Sequence, residues 1–272
     1  MKNITKFSMA ILIGLALTIS ACKKSESTST DNSNNNGGVV VSEVQKSTLF
    51  YFGGTWCPPC GAYGKPAKEK IHTTIPEKAV IISCQIGNDP MICADASALQ
   101  AMFNATSVPA MFFGAADQPF ASMVGGSSQT TAQAVAKVTE QYALKPVVNA
   151  ELTLKEADGL INVTANGKFF QDGAGEYYIA GYLLEDKLNY AQVSDGSIEK
   201  NIHYNVIRTK FGTSLTGELI KADPKKGDTF TKTLNFFANS TYVKENLGVA
   251  VVIWKKTTTG WVISNSSYIH YK

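Results

Sequence analysis

Cys57 and Cys60 have two residues between them in Trp56-Cys57-Pro58-Pro59-Cys60, where the surrounding sequence reads as a strand, a turn and the start of a helix. Residues 47–52 (Ser-Thr-Leu-Phe-Tyr-Phe) suit a buried strand, and Gly53-Gly54-Thr55 supplies the turn after it. Cys57 then falls at the helix N-cap and Pro58 in the first turn, where proline's fixed φ and missing N–H do no harm. A sulfur there faces unpaired N–H groups whose partial positive charge favours thiolate over thiol, which makes Cys57 the nucleophile. Cys60, one turn on, can attack a mixed disulfide on Cys57 and release the partner. The chemistry is dithiol–disulfide exchange, which needs no small-molecule cofactor because electrons come from another thiol protein. Two other readings stay open: a stable structural disulfide, and zinc held by four cysteines. Against zinc, the eight residues between Cys84 and Cys93 are too many for a second tight knuckle.

The elements that must position this pair follow in order. A helix is expected over residues 58–73, irregular near Gly64 and Pro66, then a β-branched strand over 79–86 and a helix over 94–104. Short strands over 110–113 and 120–124 and a helix over 131–142 complete a β-α-β-α-β-β-α order, which implies a parallel pair, a hairpin and helices on both faces. This first domain is expected to span residues 44–144.

Residues 1–8 carry Lys2 and Lys6, and residues 9–19 form an apolar run too short to span a bilayer as a mature helix. Ile19-Ser20-Ala21-Cys22 ends it and resembles the lipobox of bacterial lipoproteins, which implies a signal peptide over 1–21 and acylation of Cys22. Lys23, rather than an aspartate, follows that cysteine, and by the bacterial sorting rule this implies the outer membrane. Residues 22–43 are polar and without apolar period, a tether reaching on the order of 25 Å. The formal charge of +3 falls to +1 once residues 1–21, with two lysines and no acid, are removed, so nothing points to nucleic acid. Of five cysteines, Cys22 goes to lipid, leaving an even number for disulfide chemistry in an exported chain.

The remaining residues, 145–272, carry β runs over 147–154, 160–165, 177–184, 230–236, 248–254 and 261–271, separated by turn signals such as Asp158-Gly159 and Asp223-Pro224. Many short strands without strong helices indicate a β-sandwich, immunoglobulin-like in outline.

The order of the first domain, its Trp-Cys-x-x-Cys and its later Val108-Pro109 resemble the thioredoxin fold. The resemblance implies a cis-proline at Pro109 and a substrate-binding role for Trp56, Val108 and Pro109, the backbone of Val108 pairing with an extended substrate chain. Two departures stand out. Tyr51 occupies the position where thioredoxins bury an aspartate, and Tyr63 the position where TlpA-like lipoproteins place a glutamate. Either acid would help deprotonate the resolving thiol. Glu69 is expected on the solvated face of the helix. The mature chain as a whole is similar to the bacterial lipoproteins related to the twenty-eight-kilodalton outer-membrane protein, through Asn88-Asp89-Pro90-Met91 and through His203, Val206 and Arg208 within residues 201–208. Those proteins join a thioredoxin-like domain to a C-terminal β-domain.

Cys84 and Cys93 are expected to form a structural disulfide rather than a second redox pair, since neither has the helix-start setting that activates a thiol. His72 is expected near the last carbonyls of its helix and His203 against a backbone carbonyl. The expected function is a membrane-anchored thiol–disulfide oxidoreductase that meets exported protein thiols or disulfides and a redox partner protein. The alternative is a surface binding lipoprotein whose β-domain does the work and whose disulfide only stabilises.

Overall fold

Strand β1 (Ser47–Gly53) is buried at every position, and its alternating side chains feed two separate cores. Leu49 and Tyr51 point to one side, against Ala67 and Ile71 of helix α1 (Lys65–Thr74) and Ala134 and Val138 of a later helix, α3. Phe50 and Phe52 point to the other, where Ala96 and Leu99 of helix α2 (Ala94–Met102) join strands from the C-terminal half. The period-2 geometry of a strand makes this division unavoidable once both faces are apolar. The computed structural model describes residues 39–237 and 239–271. The expected signal peptide, the Cys22 acylation site and most of the tether lie outside the described residues.

The first half follows the expected order. β1 runs parallel to β2 (Ala79–Gln85) and antiparallel to β3 (Ala110–Gly114), which pairs with β4 (Ala121–Val124). Helix α3 (Thr130–Tyr142) closes it. Helices α1 and α3 cover one face and α2 the other.

The second half contains β5 (Val148–Ala157), β6 (Leu160–Phe169), β7 (Glu176–Glu185), β8 (Leu188–Ser194), β9 (Ser197–His203), β10 (Val206–Lys210), β11 (Glu218–Ala222), β12 (Thr229–Phe237), β13 (Leu247–Thr257) and β14 (Gly260–His270). The six β runs expected from sequence are present as β5, β6, β7, β12, β13 and β14. The stretch 188–222, where none was expected, supplies four more strands. Its polar, turn-rich sequence carries no strong alternation, and tertiary pairing sets its conformation.

The second half does not stand apart from the first. β10 runs parallel to β2 at Val206↔Ser83, and Ser83 N–H donates to the Asn205 carbonyl at 2.8 Å. One sheet therefore runs β14-β13-β7-β10-β2-β1-β3-β4, with β11 also on β7. β5, β6 and β12 form a second layer, and β8–β9 a separate hairpin. Strand β13 repeats the trick of β1. Val249, Val251 and Ile253 pack toward the β5–β6–β12 layer, while Ala250, Val252 and Trp254 pack toward Phe50 and Phe52. The expected sandwich exists as two packed layers, but one of them is the continuation of the first half's sheet. Val39–Lys272 accordingly forms one compact unit.

Phe50 is the meeting point of the halves, with ring centroids 4.8 Å from Phe103, 5.7 Å from Trp254 and 5.9 Å from Tyr182. Phe50→Ala is expected to cost about 3–5 kcal/mol, the range for emptying a closed aromatic site. Urea unfolding followed by far-ultraviolet circular dichroism checks it; a loss below about 1 kcal/mol would mean the two halves do not depend on this contact.

Candidate active site

The chain turns sharply after β1 and enters a helix at Pro58, so Cys57 is the last residue before the helix. Its carbonyl accepts the N–H groups of Cys60 (3.1 Å) and Gly61 (3.2 Å), and Cys60 N–H lies 3.2 Å from Cys57 Sγ. The N–H that faces the sulfur, that of Cys60, is shared with the Cys57 carbonyl and, with the helix start, favours negative charge at Cys57. Cys57 and Cys60 are joined as a disulfide with Cα atoms 5.2 Å apart. The helix takes a wide turn over Cys60–Gly64 before α1 begins, and Pro66, which lacks an N–H, stands at its start. Gly64 fits between the Tyr51 ring and Pro109, where an added Cβ would meet Pro109 at 2.5 Å.

The Val108–Pro109 peptide bond is cis, and the Val108 carbonyl oxygen lies 3.9 Å from Cys57 Sγ. Trp56 is half exposed and lies across Gly54 and Gly87, its Nε1–H donating to the Ile86 carbonyl at 3.0 Å. Gly87 has φ +69° and leaves 3.0 Å between an added Cβ and the indole, so no other residue suits that turn. Sequence thus named residues that the fold gathers at one place: Trp56, Cys57, Cys60, Val108 and Pro109. The motif around Asp89 belongs here too. The buried Asp89 carboxylate accepts Thr55 N–H at 2.6 Å and Met91 N–H at 2.8 Å, tying the turn before Cys57 to the loop after β2.

Cys84 and Cys93 are separate thiols, not the expected disulfide. Cys84 points into the core shared with Phe50, while Cys93 caps helix α2, its Sγ accepting Ala96 N–H at 3.4 Å. Burial pushes both thiols above the ordinary range, which leaves them poorly reactive.

Lys68 and Gln192, both at the site, carry no sequence signal. Lys68 on α1 is buried, its ammonium donating to Ser83 Oγ (3.1 Å) and the Tyr204 carbonyl (3.2 Å) and lying 5.3 Å from the centre of the Tyr51 ring. Glu69, expected on the solvated face, pairs with Lys65, which also reaches Asn201. His72 stacks on Tyr204 at 4.9 Å, and buried His203 donates Nε2–H to the Tyr190 carbonyl at 3.3 Å. Burial and the nearby lysines hold His203 down to about 4, so its ring stays neutral. The residues 201–208 are therefore a seam: they carry β9 into β10 and dock on α1 and β2. The hairpin β8–β9 that precedes them reaches the site itself, where Gln192 and Val193 contact the turn before Cys57. Both cysteines are buried, Cys57 at 3% exposure.

No protein-family profile matches the chain, and no curated protein matches it significantly. Among solved structures, HBP35 of Porphyromonas gingivalis aligns with a TM-score of 0.64 at 15% identity, over 84% of this chain and 76% of that one. The two share a fold. A domain of the outer membrane lipoprotein Omp28 from Porphyromonas gingivalis aligns at a TM-score of 0.32 and 15% identity, over 47% of this chain and 89% of its own. A protein from Archaeoglobus fulgidus aligns at 0.20 and 11%, over 46% and 95%. Those two likenesses are too distant to bear on the argument.

Burial lowers the Lys68 ammonium from 10.5 to about 8. Below about pH 8 both folded and unfolded chains carry this proton; between about 8 and 10.5 the unfolded chain binds it more tightly. Stability from this group therefore rises with pH through that window, by about 3 kcal/mol in order of magnitude. Lys68→Met should flatten the rise, as checked by urea midpoints at about pH 7.5 and 10. An equal rise in both proteins would put the titration on another group.

Proposed function

We propose that this chain is a lipid-anchored thiol–disulfide oxidoreductase of the bacterial cell envelope acting on exported proteins. The observation that carries the reading is the Cys57–Cys60 disulfide at a helix start with the Val108 carbonyl oxygen 3.9 Å from Cys57 Sγ. A partner thiolate attacks Cys57 Sγ, and Cys60 leaves as a thiolate that takes up a proton. The partner's second thiolate then attacks the mixed disulfide, so the partner leaves oxidised and the chain holds two thiols. In reverse, Cys57 attacks and Cys60 resolves. Val108 and Pro109 hold an extended substrate backbone, and Trp56 walls the pair.

The anchor is Cys22, supported by the lipobox-like sequence, with the outer membrane supported by Lys23. Among the described residues no helix is long and apolar enough to cross a membrane. Residues 44–144 are the thioredoxin-like catalytic half and 145–272 an immunoglobulin-like half. Supporting the latter, its six main strands divide between two packed layers, β5, β6 and β12 in one and β7, β13 and β14 in the other. The fold shared with HBP35 and the motifs at 88–91 and 201–208 support kinship with the lipoproteins related to the twenty-eight-kilodalton outer-membrane protein.

A second reading is favoured by the burial of Cys57 and by tyrosine, not acid, at position 51: the disulfide only stabilises, and the β-half binds a partner. Redox titration of the full chain, with mass mapping of trapped Cys57 and Cys60, separates the two. A midpoint between about −270 and −120 mV is expected for an exchanging pair, and Cys57→Ser should abolish exchange while keeping the fold. A pair that stays oxidised below about −300 mV would leave only the structural reading.

A further inference from the structure

We infer that Gln192 is a positioning residue for the Cys57–Cys60 pair, and that the β8–β9 hairpin acts through it to set how readily the disulfide is reduced. The inference rests on the redox reading above and adds its control by the distal half of the chain. Gln192 is buried, and its Nε2 lies 3.2 Å from the Gly54 carbonyl, 3.3 Å from that of Thr55, 3.4 Å from that of Cys57 and 3.0 Å from that of Val193. All four partners are acceptors only, so the amide nitrogen, not its oxygen, must face them. Two N–H groups are thus shared among four carbonyls in three-centre bonds.

One of those carbonyls is the oxygen that starts the active-site helix. Cys57 O also receives Cys60 N–H and Gly61 N–H, so Gln192, 135 residues away in sequence, completes the cluster that fixes the Cys57 backbone. Beside it, Val193 N–H donates to Thr55 O at 2.8 Å. The close approach depends on Gly61, where an added Cβ would come within 2.2 Å of the Val193 carbonyl oxygen. The turn 54–57 is therefore clamped twice, by Asp89 on its N–H side and by the hairpin on its carbonyl side.

The hairpin is not there to complete an apolar core. Its inward residues include the polar Gln192 and His203, and on its outward side Ile198 and Ile202 are 73% and 46% exposed. What it contributes is a fixed main chain at the reacting cysteine. Reduction takes two electrons and two protons from a partner dithiol, which becomes the disulfide, and leaves two thiols that must separate. A clamped turn resists that separation and keeps the effective concentration of one thiol beside the other high, which favours the disulfide. Releasing the clamp favours the dithiol.

Two variants test this on the full chain. Gln192→Leu keeps the bulk and removes the donors. Gly61→Ala leaves Gln192 intact, is compatible with a helix, and pushes the Val193 carbonyl away. Both are titrated in a dithiothreitol redox buffer, with thiol trapping and mass mapping of Cys57 and Cys60. Each is expected to become easier to reduce, by about tenfold in the exchange equilibrium, equal to about 30 mV for two electrons. Midpoints that coincide with the wild type overturn the inference, even if both variants melt at lower temperature, because a purely structural role moves stability alone. A shift in only one variant also overturns it, since both act through one contact. A wild type that cannot be reduced in the buffer at all fails the redox reading itself, a result distinct from coinciding midpoints.

Discussion

β1 is apolar on both sides, so each of its faces must be covered, and the helices of the first half cover one face and part of the other. Helices α1 and α3 close the face of Leu49 and Tyr51. On the other face α2 covers part, and Phe50 and Phe52 find the rest of their cover in Tyr182, Val252 and Trp254 of the second half. Removing this much aromatic surface from water contributes several kcal/mol, comparable with the whole net stability of an ordinary domain. The demand for cover explains why the sheet continues through β10 into β7, β13 and β14 instead of ending at β2.

That continuation has a chemical consequence. Pairing β10 with β2 fixes residues 201–206 against α1, and the hairpin just before them is carried onto the turn that precedes Cys57. Cys57 is then held by three contacts of different origin. The helix start supplies the Cys60 N–H, the Asp89 carboxylate holds Thr55 N–H, and Gln192 holds the carbonyls. Behind them stands the Tyr51 phenol, and the Lys68 ammonium lies near its ring without a carboxylate hydrogen-bonded to it among the described residues. Such a site can stabilise a thiolate through backbone dipoles while having no buried acid to take a proton from Cys60.

The cysteine pairs illustrate the same physics twice. Cys57 and Cys60 lie at the start of one helix, where three residues of separation bring the sulfurs together. Cys93 also caps a helix, α2, yet its sulfur and that of Cys84 are enclosed by core residues that raise both thiols. A helix N-cap alone does not lower a thiol: at Cys93 burial outweighs the hydrogen bond from Ala96 N–H.

Local sequence determined what depends on neighbours along the chain. The strand before Trp56, the helix after Cys57, the irregular turn near Gly64 and Pro66, and six of the β runs could all be read from period, proline and glycine. The Cys57–Cys60 pairing could be read too, because a Cys-x-x-Cys needs only one helical turn to bring its sulfurs into reach. What only the tertiary structure decided involves partners far apart in sequence: the joining of the halves at Val206 and Ser83, the strands between 188 and 222, and the clamp of Gln192 on Cys57. A glutamine in a polar, turn-rich stretch has no periodicity to betray it. Its distant contacts are to three main-chain carbonyls of the turn 54–57, a group that every residue possesses, and only the fold places those oxygens within reach of its amide.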